Sequence, residues 1–80
     1  MPVPLLRLFG PARTCAGTGR AHLPGSSVAE LIDEATRRYG PEFAEVVGAS
    51  RLWVNGEAAG RDRALDDHDE LAVLPPVSGG

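Results

Sequence analysis

Residues Ser27 to Gly40 read SVAELIDEATRRYG, and this stretch sets the architecture of the chain. Val28, Leu31, Ile32, Ala35 and Tyr39 recur at intervals that place them in one continuous apolar stripe along a helix. A helix with a single apolar stripe needs an apolar surface to lie on, and the flanking sequence supplies strands. Ser27-Val28-Ala29-Glu30 fits a capping box, in which the Ser27 hydroxyl accepts from the Glu30 amide while the Glu30 carboxylate reaches back to the Ser27 amide. Asp33 with Arg37 and Glu34 with Arg38 stand four apart in the favourable order on the solvated face, each pair contributing about 0.3 kcal/mol. Gly40 followed by Pro41 stops the helix, because glycine accepts a left-handed cap and proline cannot continue the hydrogen-bond ladder.

Upstream, Val3 to Phe9 is an apolar run broken only by Arg7 and stopped at Gly10-Pro11, the length of a strand. Alternation puts Leu6 and Leu8 on one face, Leu5 and Phe9 on the other. Arg13 to Thr18 reads as a loop and Gly19 to Leu23 as a second strand closing a hairpin. Downstream, a short helix restarts at Pro41 with Phe43, Val46 and Val47 as its apolar side and Gly48 as its end. Arg51 to Val54 is a third strand, Asn55-Gly56 a tight turn into Glu57 to Gly60, and Leu65 to Asp69 a further turn. Glu70 to Leu74 is the last strand, ended by Pro75-Pro76. Strand, strand, helix, strand, short strand, strand predicts an α+β sheet of four to five strands with one main helix on one face. Nothing in the sequence covers the other face.

Eighty residues predict a single domain, 1–80, with a flexible C-terminal tail at 75–80; a domain of this size buries only about 60% of its unfolded surface. With 42% hydrophobic and 24% charged residues, the chain is too apolar to be disordered. Net charge is −3, and the eight basic residues are all arginine and scattered, which argues against a nucleic-acid-binding face. Without lysine, only the N-terminal amine is open to acylation, so the chain reads as a donor of its tail and not an acceptor. No run of 18 apolar residues and no secretory leader is present, so the expectation is a cytoplasmic protein without a membrane partner. Cys15 has no second cysteine and reads as an incidental loop thiol. There is no nucleophile with its base, no phosphate-binding glycine loop and no metal cluster, so the chain is not expected to be an enzyme on its own or to bind a cofactor or metal.

The chemistry lies in the tail: Pro75, Pro76, Val77, Ser78, Gly79, Gly80. Prolines stiffen the stem, and two glycines without Cβ atoms let the tip enter a narrow slot in another protein. A terminal carboxylate, with a pKa of about 3.5, is an anion near neutrality and a poor electrophile. Adenylation would supply AMP as a leaving group, and a sulfur nucleophile displacing it would leave a terminal thiocarboxylate on Gly80.

The run Asp66-Asp67-His68-Asp69-Glu70-Leu71-Ala72-Val73-Leu74-Pro75-Pro76-Val77-Ser78-Gly79-Gly80 strongly resembles the C-terminal signature of the molybdopterin synthase small subunits and their ThiS-like sulfur-carrier relatives. Leu8-Phe9-Gly10-Pro11-Ala12-Arg13 and Val54-Asn55-Gly56-Glu57 match the same family. The resemblance implies a β-grasp, ubiquitin-like fold with a mixed sheet, its first and last strands parallel neighbours at the centre. It also implies two partners: an adenylyltransferase resembling the ubiquitin-activating enzymes, which consumes ATP to activate Gly80, and an acceptor enzyme, in the molybdopterin case the large synthase subunit. One departure is His68, where the family usually has glycine; a turn there often needs positive φ, so a mildly strained His68 is expected, with His22 a surface or partly buried side chain.

In a β-grasp sheet, Leu71, Val73, Leu52 and Val54 point to the helix, while Leu5, Phe9, Trp53 and Leu74 share the uncovered face. An apolar patch beside a reactive tail predicts a partner-docking surface made of these four and of Pro75, Pro76, Val77 and Ser78. Beside the plain alternative of a non-covalent interaction module with an unused tail, three readings follow. The chain is a sulfur carrier for molybdopterin synthesis, counted with its partner as the small subunit of a heteromeric sulfurtransferase; it serves another acceptor, making cysteine, thiamine or a natural product; or it is a ubiquitin-like modifier joined through Gly80 to target proteins.

Overall fold

In the computed structural model, which describes residues 1–76, the alternation at the N-terminus becomes strand β1 (Leu5–Leu8), with Leu6 and Leu8 buried and Leu5 and Arg7 half-buried. Strand β2 (Arg20–His22) runs antiparallel beside it. Strands β3 (Arg51–Val54), β4 (Glu57–Ala58) and β5 (Glu70–Leu74) complete a five-stranded sheet in the order β2-β1-β5-β3-β4. β1 and β5 are parallel near the centre, and every other pairing is antiparallel. This is the mixed β-grasp sheet that the resemblance implied.

Helix α2 (Val28–Tyr39) lays Val28, Leu31, Ile32 and Ala35 into the core, all buried as the stripe required, with Tyr39 partly buried against it. Helix α3 (Pro41–Gly48) adds Phe43 and Val47, and the rings of Tyr39 and Phe43 meet edge to face with centroids 5.3 Å apart. From the sheet, Leu6, Leu8, Leu71, Val73 and Val54 meet this layer with essentially no exposure. No polar or charged residue is buried among the described residues. The core is held by apolar contact alone, so fully burying each of these side chains contributes about 1.5–3 kcal/mol before ordering costs.

Several local expectations are corrected. The segment read as a loop from Arg13 is helix α1 (Gly10–Ala16), so Cys15 is a helical residue, partly buried against the core, and not a loop thiol. The signals were Pro11 in its first turn, where the missing N–H costs nothing, and Gly17 after its end at φ 74°, with an N–H that returns to the Arg13 carbonyl. Seven residues span too few turns for periodicity to declare a helix.

The second strand is three residues, not five, and the strand after the Asn55-Gly56 turn is two. At the start of α2 the Ser27 hydroxyl does accept from the Glu30 amide, at 3.2 Å, but Glu30 answers to Ser26, accepting from its amide at 2.9 Å and its hydroxyl at 2.6 Å. Arg37 pairs with Glu34 rather than with Asp33, and Glu34 also takes Arg38 at 2.9 Å. Among the described residues Asn55, at φ 51°, is the non-glycine residue with positive φ, so His68 carries no such strain; the His68 amide donates to the Asp66 carboxylate at 3.1 Å.

Candidate functional site

The tail leaves the sheet at the end of β5. Leu74 is the last strand residue and is half-buried; Pro75 and Pro76 after it are exposed. Because β1 and β5 are parallel, the end of β1 arrives at the same place, and the Phe9 amide donates to the Val73 carbonyl at 3.2 Å. Gly10, the first residue of α1, then turns the chain at φ 57°, and a Cβ there would come within 3.3 Å of the Pro75 ring. The missed helix therefore begins against the root of the tail. Val77, Ser78, Gly79 and Gly80 lie outside the described residues.

Register decides which side chains share the uncovered face. Arg20, Arg7, Ala72, Trp53 and Ala58 are partners in sequence across all five strands, so one row crosses the sheet in that order. Leu74 lies two residues beyond Ala72 toward the tail, paired with Arg51. Leu5 lies on the other side of the row, paired with His22 and Glu70. Of the four apolar residues expected here, Phe9, Leu74 and Trp53 stand near the tail's root, whereas Leu5 is about 13 Å away along the strands. All four are half-buried. Among the described residues, the large hydrophobics that are truly exposed are Met1 and Val3.

Two further residues share this face: Ala72, which alternation with Leu71 and Val73 already turns outward, and Arg7. Ala72 is the floor between Arg7 and Trp53, and its small side chain leaves the middle of the row low. In the sequence, Arg7 reads only as a break in an apolar strand. Its guanidinium lies over the Phe9 ring, 5.4 Å from the centroid, and its Nη1 stands 3.8 Å from the Glu70 carboxylate. Its Nε is buried without a hydrogen-bond partner. The pair is about two-fifths exposed, so it adds little to stability, but it fixes a cation in an apolar surface. The signal was parity: Arg7 shares its face with Leu5 and Phe9.

The acidic run before β5 is structural. The Asp69 carboxylate accepts from the Asn55 side-chain amide at 2.8 Å and from the Asp66 amide at 2.9 Å. Asn55 in turn accepts from the Glu70 amide at 2.9 Å, tying the β3–β4 turn to the start of β5. The Asn55 amide, followed by the Asp66 N–H, holds the Asp69 carboxyl below its ordinary range. Asp67 accepts from the Val3 amide at 2.8 Å and anchors the N-terminal segment. These contacts hold β5 in register, and through it the tail's root.

Among the described residues no group of His, Cys, Asp and Glu is placed to hold a metal, and no helix is long and apolar enough to cross a membrane. An open depression of about 200 Å³ lies beside α2, lined by residues that include Met1, Gly25, Glu30 and Arg37. It stands at the end of the molecule opposite the tail.

The ThiS family profile matches residues 6–80, including the whole tail. The molybdopterin synthase sulfur carrier subunit of Phaeosphaeria nodorum is 32% identical over 81 residues, a match spanning 90% of this chain and 84% of that protein. The protein of the same name from Arabidopsis thaliana is 33% identical over 76 residues, spanning 91% of this chain and 78% of its own. The solution structure of small archaeal modifier protein 1 from Methanosarcina acetivorans superposes with a TM-score of 0.88 at 30% identity, covering 100% of this chain and 98% of that one.

Proposed function

This chain belongs to the ThiS family, and from that premise we propose that it is a sulfur carrier whose Gly80 is adenylated and converted to a thiocarboxylate, serving as the sulfur carrier subunit of a molybdopterin synthase. The observation that carries this reading is that the family match runs unbroken through a sheet ending at an exposed Pro75-Pro76 stem and into Gly79-Gly80. Two curated relatives bear the name molybdopterin synthase sulfur carrier subunit, and they cover nine-tenths of this chain.

The chemistry divides between the chain and its partners. The Gly80 carboxylate attacks the α-phosphorus of ATP held by the adenylyltransferase, pyrophosphate leaves, and the carboxyl becomes an acyl adenylate. A hydrosulfide sulfur then attacks the acyl carbon, AMP leaves, and a C–S bond replaces the C–O bond to give the thiocarboxylate; with a persulfide as donor the product is an acyl disulfide, and a second thiol on the donor attacks the donor's sulfur, breaks the S–S bond and releases the thiocarboxylate as a disulfide forms. The chain supplies the reacting carbon; binding, orientation and charge stabilisation belong to the partners, as does the ATP. No cofactor is held by this chain in the scheme, and it is not a catalyst by itself. The acceptor is the large synthase subunit, into whose active site Gly79-Gly80 would be threaded.

Docking falls to the uncovered sheet face. Phe9, Trp53 and Leu74 surround the tail's root, Pro75 and Pro76 extend from it, and Leu5 lies at the far margin. A patch of this kind gives a partner a place to hold while the tail enters a slot. Val77 and Ser78 would form the walls' contacts inside that slot.

A second reading is favoured by one comparison: the small archaeal modifier protein carries the same fold over the full chain. In that reading Gly80 is transferred to an amine of a target protein instead of to sulfur. Intact mass of the protein isolated from its native host, with the activating enzyme present, separates the two. A gain equal to sulfur for oxygen at the C-terminus supports the carrier; an unmodified mass together with higher-mass conjugates supports the modifier.

A further inference from the structure

Scattered along the sequence, the arginines are not scattered over the surface. Register sets Arg20 directly across from Arg7, and Arg7 across from Ala72, so both arginine side chains leave the sheet on its uncovered side. Arg51 is the partner of Leu74 on that same side, two strands or about 10 Å from β1, and both Arg20 and Arg51 are exposed. The strand carboxylate on this face is Glu70; Glu57 is the partner of Val54, whose side chain lies in the core. Three arginines against one glutamate leave the face with two positive charges in excess, on a chain whose net charge is −3.

This arrangement works against the free protein. Like charges directly opposite one another in an antiparallel pair repel and weaken the sheet, and Arg7 faces Arg20 in such a pair. Glu70 stands 3.8 Å from the Arg7 Nη1, beyond hydrogen-bond distance, and the Arg7 Nε is buried without an acceptor. The Phe9 ring, 5.4 Å from the guanidinium carbon, attracts the charge but takes none of its in-plane hydrogen bonds. Arg7 is therefore a cation held in a fixed position with donors that the described residues leave unused.

The apolar surroundings narrow the source of the missing acceptor. Phe9, Trp53 and Leu74 are half-buried on the same face, and their remaining apolar surface favours an occupant that removes it from water. A phosphate backbone stays hydrated and would also meet the negative charge carried by the rest of the chain. A folded protein surface meets both demands, with apolar side chains against Phe9 and Trp53 and carboxylates against the arginines. Once water is excluded, an arginine–carboxylate pair strengthens, and the guanidinium fork suits the two carboxylate oxygens. Charges at the exposed rim act instead through their field, which is screened over about 8 Å at physiological ionic strength and mainly speeds encounter.

We propose that the uncovered sheet face recognises an acidic protein surface, with a partner carboxylate taken by Arg7 at the centre and Arg20 and Arg51 steering its approach from either side. The inference rests on one part of the proposed function, that this face docks the acceptor, and it gives that partner a chemistry: Asp or Glu side chains set around an apolar centre on the large synthase subunit. Glu70 is then a resident competitor. It partly neutralises Arg7 in the free protein and gives way to the partner's carboxylate on docking.

The test measures binding of full-length variants to the large synthase subunit of the same host by surface plasmon resonance, at about 50 and about 500 mM salt. Arg7→Gln should weaken binding at least about tenfold and Arg7→Glu further; Arg20→Gln and Arg51→Gln should slow association about two- to fivefold at low salt and little at high salt. Glu70→Gln should tighten binding about twofold or more, an effect that misfolding cannot produce. Arg61→Gln makes the same change in net charge at an exposed residue whose carbonyl accepts from the Ala29 amide of α2, on the covered side of the sheet, and should bind as wild type. In urea, Arg20→Gln should be at least as stable as wild type, because a like-charge pair is removed. Equal affinities for wild type, Arg7→Gln and Arg7→Glu, or tighter binding by Arg7→Glu, overturn the inference and leave the docking reading in place. No binding by wild type removes the docking reading and the inference together, while the intact mass of the native protein still decides the carrier reading. Tighter binding to a single-stranded RNA oligonucleotide than to the large subunit, lost in the same arginine variants, assigns the face to a phosphate backbone and also overturns the inference.

Discussion

Gly10 faces Pro75 with no room for a side chain between them: at φ 57° the glycine turns β1 into α1, and a Cβ on it would stand 3.3 Å from the proline Cγ. Two requirements meet there, a left-handed backbone and room for the tail's first residue. Gly10→Ala should therefore cost about 1–2 kcal/mol from the backbone alone, measured by urea denaturation. It should also displace the stem, lowering the rate of Gly80 adenylation by the activating enzyme while the far-ultraviolet circular dichroism is retained. Full stability and full adenylation in the variant would show that the close approach is incidental.

That close approach also marks where reading the sequence stopped. The elements long enough to repeat a period were legible: the α2 stripe, the alternation of β1, and β3 and β5 with their bounds. Asn55-Gly56 declared its turn because so few residues accept two consecutive positive φ angles. What failed was local and short. The two turns of α1 carry no period, and Gly10-Pro11, read as a strand stop, is also a helix start. Ser26 and Ser27 both lie near the start of α2, and only the backbone path decides which of them meets Glu30. Arg7 looked like an interruption because its role depends on Phe9 and Glu70, the latter 63 residues away. The reading of Val77 to Gly80 as a tail that is activated at Gly80 falls outside the described residues.

The pairing of Asn55 with Asp69 predicts an acid-sensitive step in stability. The folded state binds the Asp69 proton less readily than the unfolded chain, because the carboxylate accepts two hydrogen bonds. Its stabilising contribution is complete above the unfolded value near 3.8 and is lost as pH falls below that, through the folded value. Asp69→Asn keeps a single acceptor oxygen for two donors. It should lower the melting temperature at neutral pH and flatten its decline between about pH 5 and pH 3. A decline as steep as wild type would assign the acid step to other carboxylates.

The two serines before α2 make different contributions. Ser27→Ala removes the acceptor of the Glu30 amide and should cost about 1 kcal/mol. Ser26→Ala removes a hydroxyl that donates to the Glu30 carboxylate but leaves the Ser26 amide donating to it. Its cost should be smaller, and it should raise the Glu30 pKa toward its ordinary value, because that hydroxyl is the main cause of the lowering. Carbon-detected titration of the Glu30 carboxyl by NMR reads this directly. Equal losses for the two variants, with an unmoved Glu30, would restore the reciprocal capping box.

Docking on the uncovered sheet face is testable by a gradient of positions. Phe9 and Leu74 flank the root of the tail, whereas Leu5 lies on the other side of the row formed by Arg7, Ala72 and Trp53. A carboxylate introduced into a desolvated interface is left without a partner, so Phe9→Asp and Leu74→Asp should each weaken binding to the large synthase subunit by at least about tenfold, 1.4 kcal/mol. Leu5→Asp should weaken it less. The side chains are half-buried and lie outside the core layer, so circular dichroism should be retained in all three. In the proposed scheme the sheet holds the partner and the tail carries the sulfur, so removing Gly79-Gly80 from otherwise wild-type protein should leave much of the binding while abolishing sulfur transfer. If binding by calorimetry is unchanged in both Phe9→Asp and Leu74→Asp but collapses on loss of the tail, recognition resides in the tail alone and the face has another occupant.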